Sequence, residues 1–170
     1  AYRNSRGELV LLLNSDVELT HDALGTLVGF LRSRPDVAGV GPLYLNPDGS
    51  PQPFHFRLPT FATMLVNGSS LLRLLLPGSD RMLRHYRMLD EDFSVPTPVP
   101  QPSASCLLLR RAALPPGHIF DGRYPIFFND LQFALWPHAT GRSLLGRPLA
   151  AALHEAPSHG RRPGRRGGRP

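Results

Sequence analysis

The sequence predicts an α/β domain built around an open, largely parallel sheet. Three observations carry that expectation. The continuous apolar run Glu8-Leu-Val-Leu-Leu-Leu13 has the character of a strand covered on both faces. An amphipathic pattern at Leu24, Leu27, Val28 and Leu31 follows it, and then a second apolar stretch, Val37-Ala-Gly-Val-Gly41. Strand, helix and strand within about 35 residues describe one βαβ unit.

The first strand stops at the polar cluster Asn14-Ser-Asp-Val-Glu18, and Thr20 is the expected N-cap of the helix. That helix ends near Arg34, because Pro35 disfavours helical geometry in the residue before it. Beyond the second strand, Asn46-Pro-Asp-Gly49 is a turn signal. Residues 59–76 read as helical with a weak point at Gly68-Ser-Ser70. Prolines at 77, 96, 98, 100 and 102 make residues 77–102 mostly irregular connection. A further strand is expected at 105–109 and a short helical turn at 110–114. The segment Phe120-Asp-Gly-Arg-Tyr124 leads through Pro125–Phe128 into a helix from about Asp130, in which Pro137 forces a kink or an early stop. Residues 144–153 include a last strand before His154.

At 170 residues and 18.7 kDa the chain has the size of one domain, and 41% hydrophobic against 19% charged residues suits a folded one. The single Cys106 excludes a disulfide framework and a zinc site built on several thiolates. No apolar run approaches the ~20 residues that cross a bilayer. The formal charge of +6 is local: all 19 basic residues are arginine, and five of them follow Glu155, the last acid. The rest of the chain carries 14 arginines against 13 acids, so nucleic acid is not an expected partner. Residues 159–170, rich in Arg, Gly and Pro, have no core to form and are expected to be a disordered tail outside a domain of residues 1–158. The chain opens at Ala1 and reaches a buried-type strand by Glu8, which reads as the later part of a longer domain.

Three polar points interrupt the apolar text: Asn14/Asp16, Asn129/Asp130 and His154. In open α/β sheets ligands bind beyond the carboxyl ends of the strands, where Asp16 sits. An aspartate after a strand is also a common turn former. Asp130 is either a helix cap or a general base made more basic by aromatic neighbours, Phe127 and Phe128. A histidine such as His154 is more often a hydrogen-bonded surface residue than a ligand.

The order of these segments resembles the family 2 inverting glycosyltransferases of the GT-A fold, and in particular their bacterial rhamnosyltransferase-like branch. The residues that carry the resemblance are Gly7–Leu19, Val40-Gly-Pro42, Leu45–Ser50, Arg57–Thr60, Ser103–Arg111, Phe120–Arg123 and Phe127–Asp130. It implies a partial GT-A, Rossmann-like domain with a mixed, mainly parallel sheet whose first strands lie upstream of Ala1. Asn14-Ser-Asp16 stands where the family has its Asp-x-Asp motif, with Asn14 in place of the first carboxylate. By that likeness Asp16 holds Mg²⁺ or Mn²⁺ on the nucleotide diphosphate, and His154 lies near the metal and diphosphate. Asp130 matches the catalytic base; Ser103, Ala104, Ser105 and Asn129 lie on the acceptor side, Ala104 replacing a usual glycine. The implied partners are a nucleotide-sugar donor, dTDP-rhamnose at family level, and a glycan or lipid-linked acceptor. The implied setting is the cytoplasm, with peripheral contact at the inner face of the plasma membrane.

The sequence also departs from the pattern. Leu131-Gln132-Phe133 stands for Val-Asp-Leu, and Trp136 for an arginine, with Pro137 inside the helix. These departures support a rival reading, a degenerate GT-A domain that binds a glycan or partner without catalysis.

Overall fold

A computed structural model describes residues 2–46, 48–116, 119–123 and 129–154. The expected segments Pro125–Phe128 and 159–170 lie outside the described residues. In chain order the elements are β1 (Leu9–Leu13), β2 (Val17–Leu19), α1 (Ala23–Ser33), β3 (Val37–Leu45), β4 (His55–Phe56), α2 (Phe61–Gly68), α3 (Ser70–Leu75), α4 (Ser79–Tyr86), β5 (Thr97–Pro98), β6 (Gln101–Pro102), β7 (Cys106–Arg110), α5 (Asn129–Ala139) and β8 (Ser143–His154).

The α/β class holds, and the main sheet is mixed, with strand order β1-β7-β3-β8-β2 and β5 paired to β8. The balance of directions corrects the expected mainly parallel sheet. Only β3–β8 is parallel among these pairings, whereas β1–β7, β3–β7, β2–β8 and β5–β8 are antiparallel. β1 and β3 still point the same way, but β7 is inserted between them. A run such as Leu107-Leu-Leu109 is apolar because both its faces are covered, and that pattern carries no information about direction.

The two faces are filled by alternating residues of the same strands. On one, Leu27 and Leu31 of α1, both fully buried, meet Val37, Val40, Leu108 and Leu145. Burying each such leucine contributes roughly 1.5–3 kcal/mol. On the other, Phe133 of α5 packs with Ala38, Leu107, Leu109 and Leu144. A small β4–β6 sheet, with His55 opposite Pro102, lies against the main sheet at two glycines. A Cβ on Gly146 would stand 3.1 Å from His55 Nε2 and 3.2 Å from Phe93 Cε1, and one on Gly41 3.5 Å from His55 Cε1. Absent side chains thus make room for the second layer.

Local signals placed several boundaries where the sequence puts them. α1 stops at Ser33 before Pro35, and the helical stretch divides at Ser69, whose hydroxyl caps α3 by accepting from Leu72 N–H. Three expectations need correction. The N-cap of α1 is Asp22, left-handed at φ 62°, and Thr20 contributes its carbonyl to Ala23 N–H. Aspartate tolerates this conformation better than most residues. Within 77–102, the proline-free window after Pro77 forms α4, entered through Gly78 at φ 81°. Pro137 is accommodated inside α5, which runs on to Ala139; it sits in the last turn, and its carbonyl accepts from Thr140 and Arg142 N–H.

Candidate functional site

The carboxyl ends of β1, β3 and β8 lie at the same end of the sheet as the start of β7, because Leu13 pairs with Cys106 and Tyr44 with Ala152. Most of the expected site residues gather there. Asn14 N–H donates to the Ser105 carbonyl at 2.8 Å, and its side-chain amide donates to Ser105 Oγ at 3.2 Å. Ser103 Oγ donates to Ser105 Oγ at 3.1 Å and accepts from Ser105 N–H at 3.2 Å. Ala104 N–H points to Asp130 Oδ2 over a long 3.4 Å. Two segments far apart in sequence, the turn after β1 and the first turn of α5, are thereby fastened to Ser103-Ala-Ser105.

Asp130 is half-buried. Desolvation raises its pKa above the ordinary aspartate value, and the Ala104 N–H offsets part of that rise. It is not the N-cap of α5, since the helix already includes Asn129. A carboxylate made more basic by desolvation has the character of a proton acceptor. Gln132, one turn position further on, buries Oε1 without a hydrogen-bond partner among the described residues.

Tyr44 was not singled out by the sequence, yet it braces the site. Its hydroxyl accepts from Cys106 N–H at 2.7 Å and donates to the Cys106 carbonyl at 3.0 Å. Burial above all pushes the phenol pKa up; Cys106 and the Asp130 charge push the same way, and hydrogen bonds from the Cys106 backbone and Ser103 oppose them. Tyr44 is therefore a neutral phenol held on the Cys106 backbone at the start of β7. A tyrosine within the otherwise aliphatic end of a buried strand is the one signal that could have marked it. Burial likewise drives the Cys106 thiol up to about 11, so it is an inert core residue.

Asp16 is exposed in the tight turn that joins β1 to β2, where Val17 N–H donates to the Asn14 carbonyl at 3.3 Å. Val17 pairs with His154 across β2–β8, which places the His154 backbone one residue from Asp16. His154 and Asn129 are described by backbone alone, at the end of β8 and the start of α5. Among the described residues no three His, Cys, Asp or Glu side chains gather as a metal cage. One exposed carboxylate at a strand end suits the other mode of binding Mg²⁺ or Mn²⁺, in which substrate phosphate oxygens supply much of the coordination.

Beside this end of the sheet lies a cleft of about 400 Å³ lined by Leu43, Phe54, His55, Met88, Glu91 and Phe93, among others. It adjoins the site through the His55–Pro102 pairing, next to Ser103, and through Phe54, which stacks on Tyr44 at 4.7 Å between ring centroids.

No family model matches the chain. It is 29% identical over 159 residues to the N-acetylglucosaminyl-diphospho-decaprenol L-rhamnosyltransferase of Mycobacterium tuberculosis, in both the CDC 1551 / Oshkosh and ATCC 25618 / H37Rv strains, covering 91% of this chain and 49% of that protein. It is also 29% identical over 166 residues to the uncharacterized protein y4gI of Sinorhizobium fredii, covering 94% of this chain and 17% of that protein. The chain thus spans about half the length of one curated relative it matches and a sixth of the other. The distant similarity to a rhamnosyltransferase, on an α/β domain, suggests a glycosyltransferase-like protein.

Proposed function

We propose that the chain carries the metal-side turn and the acceptor side of an inverting sugar transferase of the GT-A kind. It would move a sugar, rhamnose by likeness to the mycobacterial relative, from a nucleotide-sugar donor to a glycan or lipid-linked acceptor. The observation that supports this most is Asp130: a half-buried carboxylate of raised pKa, oriented by Ala104 N–H beside Ser103 and Ser105, at the carboxyl end of the sheet.

Asp130 accepts the proton of the acceptor hydroxyl while that oxygen forms its bond to the anomeric carbon. The bond from that carbon to the diphosphate breaks on the opposite face, and its electron pair leaves with the diphosphate, so configuration inverts. Ser103 and Ser105 position the acceptor side, and Asn14 fixes the turn bearing Asp16 to Ser105. Asp16, with His154 beside it on β8, would hold Mg²⁺ or Mn²⁺, which when bound neutralises charge on the leaving diphosphate. With a lipid-linked acceptor, the setting that fits this reading is the cytoplasm at the inner face of the plasma membrane, as the family resemblance implies.

Calorimetric titration of the chain with a dTDP-sugar and Mn²⁺ tests the reading. Binding should need the metal and be abolished by Asp16→Ala. Unchanged affinity in that variant removes Asp16 from the site, and metal-independent glycan binding with no nucleotide-sugar affinity favours the non-catalytic domain.

A further inference from the structure

The cleft beside Ser103 has a lining that selects its occupant. Two aromatic rings stand in its wall: Phe54 rests on Tyr44, and Phe93 lies 5.2 Å from His55 between ring centroids, tilted by 43°. Both are half-buried, and the space they border, about 400 Å³, is within the range of small-molecule sites. Met88 forms a further wall and is only 3% exposed. It follows the end of α4 at φ 51°, where Leu89 N–H and Met88 N–H close on the Arg84 and His85 carbonyls. Glycine is the usual residue at such a helix end, because a side chain in the left-handed conformation is strained. A methionine held there, with its side chain against the cleft, is strain of the kind that gathers at ligand sites.

The polar lining is rich in hydrogen-bond acceptors. Gln52 buries Oε1 without a partner among the described residues. His55 is 5% exposed, and neither of its ring nitrogens has a hydrogen bond of good geometry there. Burial keeps the imidazole neutral, so one of its nitrogens is an acceptor. The charges at the edge are engaged: Glu91 pairs with Arg57, and Arg87 donates to Asn67 Oδ1 at 2.9 Å. A hydrocarbon chain would leave Gln52 and His55 unpaired, which is costly for buried groups. An anion would set its oxygens against acceptors. A pyranose ring suits both parts of the lining, with C–H groups for the negative faces of the aromatic rings and hydroxyl or amide donors along its edge.

We propose that this cleft is the subsite for a neutral pyranose ring of the acceptor, stacked on Phe54 and Phe93, with Gln52 and His55 accepting from its edge and Met88 as the wall that sets the shape admitted. The inference rests on the transferase reading only in giving that ring to the acceptor, since the cleft reaches Ser103 through the His55–Pro102 pairing. Sugar binding by itself needs no nucleotide, metal or transfer step. Failure of the transferase reading would leave a sugar-binding domain, whereas failure here would leave a transferase whose acceptor ring binds elsewhere.

Nuclear magnetic resonance of the chain with isotope-labelled methionine methyls tests it, because Met64, Met82 and Met88 are its only methionines and Met88 alone lines the cleft. Methyl glucoside, methyl rhamnoside and methyl N-acetylglucosaminide are titrated separately. At least one should shift the Met88 signal saturably, in the millimolar range expected of a single small ring, while Met64 and Met82 stay in place. Gln52→Leu should weaken that binding at least about fivefold and Phe93→Leu several-fold, with Met64 and Met82 unmoved as the sign that the fold is kept. A Met88 signal that answers none of the three sugars overturns the proposal, as does binding unchanged in either variant. Geraniol or thymidine diphosphate shifting Met88 at lower concentration than the sugars would give the cleft to a hydrocarbon chain or a nucleotide and equally overturn it.

Discussion

Replacing Asp130 by asparagine separates a proton acceptor from a residue that merely helps α5 begin. The exchange keeps the shape and removes the negative charge. If Asp130 takes the acceptor proton, turnover should fall by ~10²–10⁴-fold, which is about 2.7–5.4 kcal/mol of barrier. The stability terms are smaller and oppose one another. The contact with Ala104 N–H is 3.4 Å long and belongs at the low end of ~0.5–1.5 kcal/mol. A charge in the first helical turn adds ~0.3–1 kcal/mol. Against both stands the cost of keeping a desolvated carboxylate ionised. Its folded pKa is raised above the unfolded value, so its contribution to stability is full at acid pH and lost as pH rises through the folded pKa. Asparagine does not titrate, and the variant should gain on the wild type between acid and neutral pH, staying within ~1 kcal/mol of it at pH 7. Nucleotide release in a sugar-transferring form of the enzyme and urea melts at both pH values measure the two sides. Turnover within a few-fold of wild type, with stability lowered at neutral pH, would leave Asp130 a helix residue and refute the mechanism.

Other expectations rest on neighbouring groups. Tyr44→Phe leaves the buried Cys106 N–H without its acceptor and should cost ~1–3 kcal/mol in a urea melt; an unchanged melt would mean that the hydroxyl does not brace the start of β7. His55 is fully enclosed between Phe93, Tyr44 and the glycines, and desolvation lowers its pKa from 6.5 to about 4, only partly opposed by the Pro42 carbonyl. The unfolded chain therefore takes up a proton first, and stability should fall by at most roughly 3 kcal/mol as pH drops from 6.5 to about 4. His55→Phe should flatten that slope in acid titrations of the fold; an unchanged slope would place the titrating group elsewhere. Cys106, buried with its thiol pKa raised, should react with Ellman's reagent only at the rate of global unfolding, and fast native labelling would contradict its place in the core.

What the sequence disclosed was whatever a local signal encodes. Pro35 ends α1, Ser69 divides α2 from α3, and the apolar runs fall on β1, β3, β7 and β8. What it concealed depends on partners distant along the chain. Nothing near Cys106 says that its strand will run against β1 and β3, and nothing near Tyr44 announces that its hydroxyl closes on a backbone 62 positions away. α4 was hidden because its window is flanked by prolines, although it contains none. For the site, the grouping of Asn14, Ser103, Ala104, Ser105 and Asp130 followed from a resemblance carried by short motifs in order, and the structure brings those five together. Asp16 and His154 meet at the level of backbone pairing, one residue out of step, through β2 and β8.

The corrected strand direction is what makes this grouping possible. In open α/β sheets ligands bind beyond the carboxyl ends of the parallel strands, and here the strands that point the same way are β1, β3 and β8. A strand parallel to β1 and β3 would deliver its own beginning to the opposite end of the sheet. Because β7 runs antiparallel, its first residue lies beside Leu13, and the three residues before it fall at the carboxyl ends of β1, β3 and β8. Ser105, itself bonded to Ser103, can then hold Asn14, and Ala104 N–H can meet Asp130, within one short turn of chain. Tyr44 at the end of β3 pins the same β7 residue from the other side, so the segment is fixed by both its neighbours. The antiparallel insertion thus brings the turn carrying Asp16 and the helix carrying Asp130 to the same few residues, the grouping on which the proposed transfer rests.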